Sequence, residues 1–597
     1  NGSVCSVELN VNRSEGKSGG FKENRRSISR RRFVVDSLAA GVCGATSALV
    51  TLPPLLRSIP ISSLGFSEYD LRNRIQGGIV GAPALRGHLP RTFQGGERIH
   101  NSIRTGIAII GGGAAGLSTG WELSRKGFND YLILELDSMV GGNSIGGSIQ
   151  GLRHPWGAHY LPIPNKESFL VRELLSDLGE IKNYGENERR ESAPIFKEES
   201  LVAAPAERLF HYGRWHPGIV PTFGESAGAL DQHRRFHDAM EEFTSAQGSD
   251  GRPAFAIPIE HSSSDERFTT LDTYSFSDWL RTNKYSTPSL LWYLNYCCKD
   301  DYGATIDQVS AWAGIHYFAG RRGWSGNAEN SELLTWPNGN QYLVEGLAKF
   351  SSQRILSDAV VLQVKEIQNG TGGSFSIIFY NCRTSECTEV LAHSVVLATP
   401  IHTHRYLLKD DSVRGAYYDS PLLLHHPWMV ANMLVEGMPE GEWGESAWDN
   451  VLFGSDSLGY VNATHQLHSL KEERSLLTYY LPCPTMDPSQ KRAQLLTTPW
   501  VEWVKMVCAD LHRPHPSLYS HLSHFDVWLW GHGMAAPAPG YLWGQNGRPR
   551  DAETPVPGLY RAHTDLSGIS IFEEAQYRGV RAAQQARAWV EGRVRSV

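Results

Sequence analysis

The chain has 597 residues, 41% of them hydrophobic and 20% charged, which is the composition of a globular protein too long for one hydrophobic core, so two or more domains are expected. A formal net charge of −7 offers no positive footprint and excludes a nucleic-acid partner. The eight cysteines are too few for a disulfide framework and form no C-x-x-C pair, so neither a stapled scaffold nor a metal site is expected.

Residues 1–60 differ from the rest. Up to position 32 they are polar, with Arg13, Lys17, Lys22, Arg25, Arg26, Arg30, Arg31 and Arg32 against three Glu, and Phe33 to Leu56 is moderately apolar. Such a pattern reads as a targeting segment. Ser29-Arg30-Arg31-Arg32-Phe33 resembles the core of a twin-arginine signal, which implies passage through the twin-arginine export machinery to the periplasm or beyond. An uncleaved segment would also tether the protein to the membrane. The competing reading is a disordered basic tail beside a buried helix, because Asp36, Cys43 and Pro53-Pro54 interrupt the apolar run. Residues 61–103 read as a linker.

The next stretch carries the chemistry. Ile107 to Ile110 is an apolar run suited to a buried strand, and it feeds Gly111, Gly113 and Gly116 at G-x-G-x-x-G spacing. The first glycine permits the tight turn, the second admits a pyrophosphate to the backbone, and the third lets the following helix pack close. Phosphates would rest on the helix N-terminus, with Ala115 in its first turn. A second strand, Tyr131 to Leu134, ends on Glu135, at the ~20-residue spacing that puts a carboxylate on the adenosine ribose.

Gly141-Gly142 follow, then Asn143, and further on Trp156-Gly157-Ala158-His159-Tyr160. With these the chain resembles the two-dinucleotide-binding-domain flavoproteins, specifically the flavin-containing amine oxidase family. The resemblance implies FAD, with Gly141, Gly142 and Asn143 beside the pyrophosphate and Gly157, Ala158 and His159 beneath the isoalloxazine ring. Asn143 stands where the family usually has Arg. The same resemblance implies an α/β fold: a Rossmann-like FAD-binding domain with a three-layer sheet, in parts at 104–165, 334–427 and 546–597. A mixed α+β substrate domain is interleaved with it, as a helical insert at 166–333 and a strand-rich segment at 428–545.

In chain order, Phe169, Leu170, Leu174 and Leu178 recur at helical spacing. From Ile181 to Ser264 the periodicity is poor, and only loops and short helices are assigned. Asp300 to Gly323 concentrates aromatics: Trp312, His316, Tyr317 and Phe318 read either as a substrate-cavity lining or as core. Thr335 to Asn340 resembles the family's W-P-x-G-N turn, and the strand after it implies adenine contact at Val361. Cys382 and Cys387 flank a turn between strand-like runs, so a disulfide across a hairpin and two unpaired thiols are both open. Ser394 to Pro400 reads as a buried strand beside the cofactor.

Trp428 to Leu434 opens the second excursion, whose later part is rich in Trp. The segment Trp530-Gly531-His532-Gly533 implies Trp530 as an aromatic wall, and His159, Trp530 and His532 are the pocket candidates. Pro557 to Asp565 and Glu573 to Ala583 resemble the family's last strand and helix, with His563, Glu574 and Arg578 in place of Gly, Gly and Ser. They imply cofactor contact at Asp565, Glu574 and Ala575. Together these readings point to an FAD-dependent oxidoreductase that takes hydride from carbon beside nitrogen in a small amine or amino-acid-like substrate. The alternatives are a desaturase or isomerase of the phytoene-desaturase type and a non-catalytic flavin-binding or electron-transfer protein. Many relatives carry a lysine on the strand corresponding to Trp428–Leu434, which has none here. O₂ therefore competes with a quinone or small redox protein as the expected electron acceptor.

Overall fold

The computed structural model describes residues 72–81, 85–183, 192–367, 374–409, 420–439, 442, 444, 446–467, 474–544 and 556–594. The twin-arginine segment lies outside them. No helix among the described residues is long and apolar enough to cross a membrane.

Two sheets organise the molecule. The first has seven strands, with the order Ile355–Leu356, Tyr131–Leu134, Ile99–Ile110, Glu386–Leu397, Ser374–Asn381 and Ala359–Ile367, while Leu559–Arg561 pairs with Glu386–Leu397. Its centre is parallel: Ile107–Ile110 pairs with Tyr131–Leu134 on one side and with Ser394–Leu397 on the other. Strands covered on both faces read as continuous apolar runs, and Ile107, Ala108, Ile109, Val395, Val396 and Leu397 are all inaccessible to solvent. The helices Ala114–Arg125 and Phe572–Val594 pack together on one face. Contact is close because Gly579 leaves no side chain between them; a Cβ there would lie 2.2 Å from Ala115 O. Thr119 Oγ1 donates across the same contact to Gly579 O at 3.1 Å.

The second sheet has eight strands, with Leu423–Glu436 between Leu522–Pro537 and Arg474–Pro482 at its centre. Helix Trp500–Leu511 packs beneath it through Trp500, Trp503, Val504 and Val507. Helices Ala227–Ser245, Pro288–Tyr302 and Ala311–Ala319 build the remaining core of this half.

Two expectations are corrected here, and the open choice at Cys382 and Cys387 is resolved. Residues 61–103 are more than a linker: Ile79–Gly81 adds an edge strand to the eight-stranded sheet, and Ile99–Ile103 extends the nucleotide strand along Cys387–Val390. The extension is polar and largely exposed at its start, which hid it. The stretch from Ile181 to Ser264 is not only loops and short helices. It holds the strands Glu207–His211 and Arg214–Pro217 and the helix Ala227–Ser245, whose buried stripe is Ala229, His233, Phe236 and Met240; a histidine within the stripe broke the apolar period. Cys382 and Cys387 are free thiols. Cys387 stands opposite Tyr380 in the hairpin register, so the two cysteines are out of step across the turn.

Candidate functional site

One cavity of about 840 Å³ runs between the two halves, within the size range of small-molecule and cofactor sites. At one end lies the glycine turn. Gly111 has φ +104°, and a Cβ on Gly116 would sit 1.9 Å from Gly111 O, so both positions require glycine. A Cβ on Gly113 would meet nothing closer than 3.8 Å, which leaves its backbone open to the cavity. Ala115 lines the cavity beside it, while Gly116 serves the helix-to-sheet contact.

Glu135, at the carboxyl end of its strand, is buried. Its Oε2 accepts from Gly112 N at 2.7 Å and its Oε1 from Asp137 N at 2.8 Å, so the carboxylate is oriented before any ligand arrives. Ala359, Val360 and Val361 line the cavity beyond it, and Ala359 N donates to Glu135 O at 2.8 Å. Gly141 and Gly142 have φ +132° and +55°, and Gly141 N donates to Gly112 O at 2.8 Å. The glycine turn and the glycine pair thus form one cradle. A carboxylate, an open glycine backbone and a helix N-terminus at these positions fit a dinucleotide.

Asn143 does not replace the missing arginine as a charge. Its Nδ2 donates to Gly533 O at 2.7 Å, tying the nucleotide half to the Leu522–Pro537 strand. Gly157 closes on it, since a Cβ there would lie 1.9 Å from Asn143 O. The turn at Gly339 (φ +57°) clasps Ala158 from behind, with Asn340 N donating to Ala158 O at 2.9 Å.

The middle of the cavity is a chamber of aromatics. Trp530 lines it, packs on Trp528 with ring centroids 5.4 Å apart, and donates from Nε1 to Trp156 O at 2.7 Å. Trp428 also lines it. His159 is buried, with Nδ1 2.9 Å from Tyr480 Oη and its ring stacked on that of Tyr480. Acidic groups line the same chamber. Tyr160 Oη donates to Asp300 Oδ2 at 3.2 Å; Asp301 forms a buried ion pair with Arg321; Asp449 is 1% exposed. All four charged residues border the cavity.

A histidine-rich wall completes the lining: His402, His425, His532 and His563 converge around Asp565. Asp565 is wholly buried, and its carboxylate sits well below the usual carboxylate range despite that burial, because His425 and His563 face it. Burial pushes His532 down to about 3 and His402 down to about 2, with the neighbouring His425 adding to both.

Most cofactor residues expected from the sequence therefore border one cavity: Gly111, Gly113, Ala115, Glu135, Gly141, Gly142, Asn143, Gly157, Ala158, His159, Val361, Asp565 and Ala575. Glu574 does not. Its Oε1 accepts from Ile259 N at 2.6 Å, and burial raises its carboxyl; Glu573 lines the cavity in its place. Arg578, one turn on, pairs with Glu260. The two departures from the family pattern thus anchor the Pro258–His261 turn to the last helix. Trp312, His316 and Tyr317 are core: His316 Nε2 donates to Ala256 O at 3.0 Å and its ring stacks on Trp312. The sequence reading missed His402, His425, Asp300 and Asp449, which reach the cavity from segments without a motif.

Residues 109–178 match the family model of the NAD(P)-binding Rossmann-like domain. A search of the curated proteins finds no significant match. Among solved structures, a putrescine oxidase bound to putrescine superposes with TM-score 0.57 at 16% identity, over 82% of this chain and all of the other. Cyclohexylamine oxidase from Brevibacterium oxydans gives 0.54 at 15% identity, over 82% and 99%. A fatty acid isomerase producing CLA, from P. acnes, gives 0.53 at 16% identity, over 80% and 97%. At these identities the shared property is the fold.

Proposed function

We propose that this protein is an FAD-dependent oxidoreductase that oxidises a C–N bond of an amine or amino-acid-like substrate. The observation that carries the reading is a single cavity with a dinucleotide cradle at one end and an aromatic chamber bearing Asp300, Asp301 and Asp449 next to it. Bound there, FAD supplies an acceptor for the hydride leaving the carbon beside nitrogen. The chain supplies position and field. Glu135 would receive the ribose hydroxyls, and the helix N-terminus that begins at Ala114 would receive the pyrophosphate. Trp428, Trp528 and Trp530 exclude water, which strengthens charge interactions inside the chamber. Asp300, oriented by Tyr160, favours a cationic amine over a neutral or anionic molecule. The likeness to putrescine and cyclohexylamine oxidases supports the same class.

The Leu423–Glu436 strand presents no lysine, and Lys409 is engaged elsewhere, donating to Pro90 O at 2.9 Å and Phe93 O at 3.3 Å. The proposed acceptor is accordingly a quinone or small redox protein, with slow transfer to O₂. A second reading, an isomerase or desaturase of apolar chains, draws on the fatty acid isomerase likeness and on Val430, Leu458 and Val461 in the lining. One experiment separates them: anaerobic mixing of the flavoprotein with amine, amino-acid, fatty acid and polyene panels. Amines should bleach the oxidised flavin band, and the reduced protein should recover quickly with an artificial quinone but slowly in air. A shifted double bond in a fatty acid with no amine response favours the second reading. Rapid peroxide formation from O₂ rejects the acceptor assignment, and no response to any panel leaves a flavin-binding or electron-transfer role.

Location follows from the Ser29–Phe33 segment, which supports twin-arginine export with or without a retained anchor. Lysine at both Arg30 and Arg31 should hold folded protein inside the cell. Unchanged fractionation of that variant would refute it.

A further inference from the structure

Three segments far apart in sequence meet at Asp565. His425, near the start of the Leu423–Glu436 strand, brings Nε2 to 2.9 Å from Asp565 Oδ1. His402, in the first turn of the Ile401–Leu407 helix, stands with its ring centroid 5.0 Å from that of His425. One ligand atom from each of His402, His425 and Asp565 lies within 4.8 Å of the other two. Two more imidazoles border the group: His532 stacks on His402 at 4.4 Å, and His563 Nδ1 lies 3.2 Å from Asp565 Oδ1.

Hydrogen bonding accounts for only part of this cluster. Asp565 Oδ2 accepts from Ile401 N at 2.8 Å, which together with His563 holds the carboxylate in place. His402 Nδ1 is buried and has no hydrogen-bond partner. Buried polar atoms in native proteins are nearly always paired, and an exception calls for an explanation, a bound ion or water among them. Here the imidazole that carries the orphaned nitrogen stands beside a second imidazole and a buried carboxylate, a donor set that one cation would bridge.

The donor set narrows the class. Two imidazoles and one carboxylate suit divalent first-row transition ions rather than calcium or magnesium, which take oxygen ligands. Ligand atoms about 2.1 Å from such an ion stand roughly 3–3.5 Å from each other. His425 and Asp565 are already near that spacing, and a side-chain shift of about an ångström brings His402 in.

We propose that His402, His425 and Asp565 bind a divalent first-row transition-metal ion, with Zn²⁺ as the reference ion, in the wall of the cavity. His532 and His563 stand behind the ligands. Asp565 contributes Oδ1 and keeps its Oδ2 bond to Ile401, while His425 exchanges its carboxylate bond for the ion. Three protein ligands leave coordination positions open toward the cavity. The proposal does not require the amine oxidation argued above, but it assigns Asp565 to a metal ion where the sequence implied a cofactor contact.

The test uses the protein as purified, with whatever cofactor it retains, treated with a chelator and exchanged into metal-free buffer. Co²⁺ and Zn²⁺ are then titrated, with calorimetry for stoichiometry and the Co²⁺ ligand-field bands for geometry. One ion per chain is expected, His402→Ala should weaken binding at least tenfold, and His393→Ala at an exposed position should leave it unchanged. If His402→Ala does not fold, His402→Gln, which keeps volume and polarity, must show the same loss. No stoichiometric ion, equal binding by the His402 variant, or binding only after the retained cofactor is stripped would each overturn the proposal.

Discussion

Glu135 spends one hydrogen bond from each carboxylate oxygen on the backbone N–H groups of Gly112 and Asp137. That arrangement orients the side chain at the cavity and couples it to the glycine turn, which supports the proposed role of Glu135 as a ribose acceptor. On the proposed function, Glu135→Ala removes one or two charge-assisted bonds to FAD, each worth roughly 1.5–3 kcal/mol. The variant should lose flavin on extended dialysis, with its dissociation constant raised at least about tenfold. Full flavin absorbance after dialysis would reject the assignment. Glu574 shows the opposite case at the same scale. A motif position implied a cofactor contact, but its side chain is taken by Ile259 N, because Arg578 and Glu260 made that end of the helix a docking point for a loop.

Among elements, the contact between the Ala114–Arg125 and Phe572–Val594 helices governs how the cavity is held. Gly579 is a poor helix former by intrinsic propensity, yet here a Cβ would lie 2.2 Å from Ala115 O and 2.9 Å from Ser118 Cβ. The backbone atom cannot move aside without lifting one helix from the other. Gly579→Ala gains up to about 1 kcal/mol of helix propensity but incurs overpacking of roughly 1–3 kcal/mol. The expected net effect is a lower urea midpoint together with weaker flavin retention, since Ala115 borders the cavity. A higher midpoint would show that the helices separate at no cost. Element types were legible where one period dominated, as in Ile107–Ile110 and Tyr131–Leu134. They failed in Ala227–Ser245, where His233 occupies a buried turn and bonds with Ser289 Oγ at 3.2 Å; a satisfied polar group looks like an interruption in a hydrophobic pattern.

For the molecule as a whole, the buried histidines set the response to pH. His404 and His515 are inaccessible to solvent and His316 nearly so, and burial pushes all three down to about 3; His154 is pushed down to about 4 by the same cause. In the unfolded chain each titrates near pH 6.5. Below that pH the unfolded state binds protons the folded state refuses, so stability is full above about 6.5 and falls as pH drops toward the folded values. At pH 5 each group costs at most ~2 kcal/mol, and several act together. Melting temperatures should therefore fall steeply between pH 7 and pH 5, well before carboxylates such as Asp565 lose their charge. A flat profile over that interval would mean that these histidines titrate in the native state.

The amino-acid sequence by itself determined the Rossmann-like fold and its glycine turn, because such turns are constrained by local backbone geometry within some forty residues. Only the tertiary structure decided what faces the dinucleotide. Asp300, Asp449, His402 and His425 belong to elements whose local pattern serves packing, and they border one cavity only because elements of both halves meet there. Nothing in their spacing records that meeting, since pairs such as His425 and Asp565 come together across 140 positions. Side-chain direction at such distances is set by packing between sheets and not by any period within one of them.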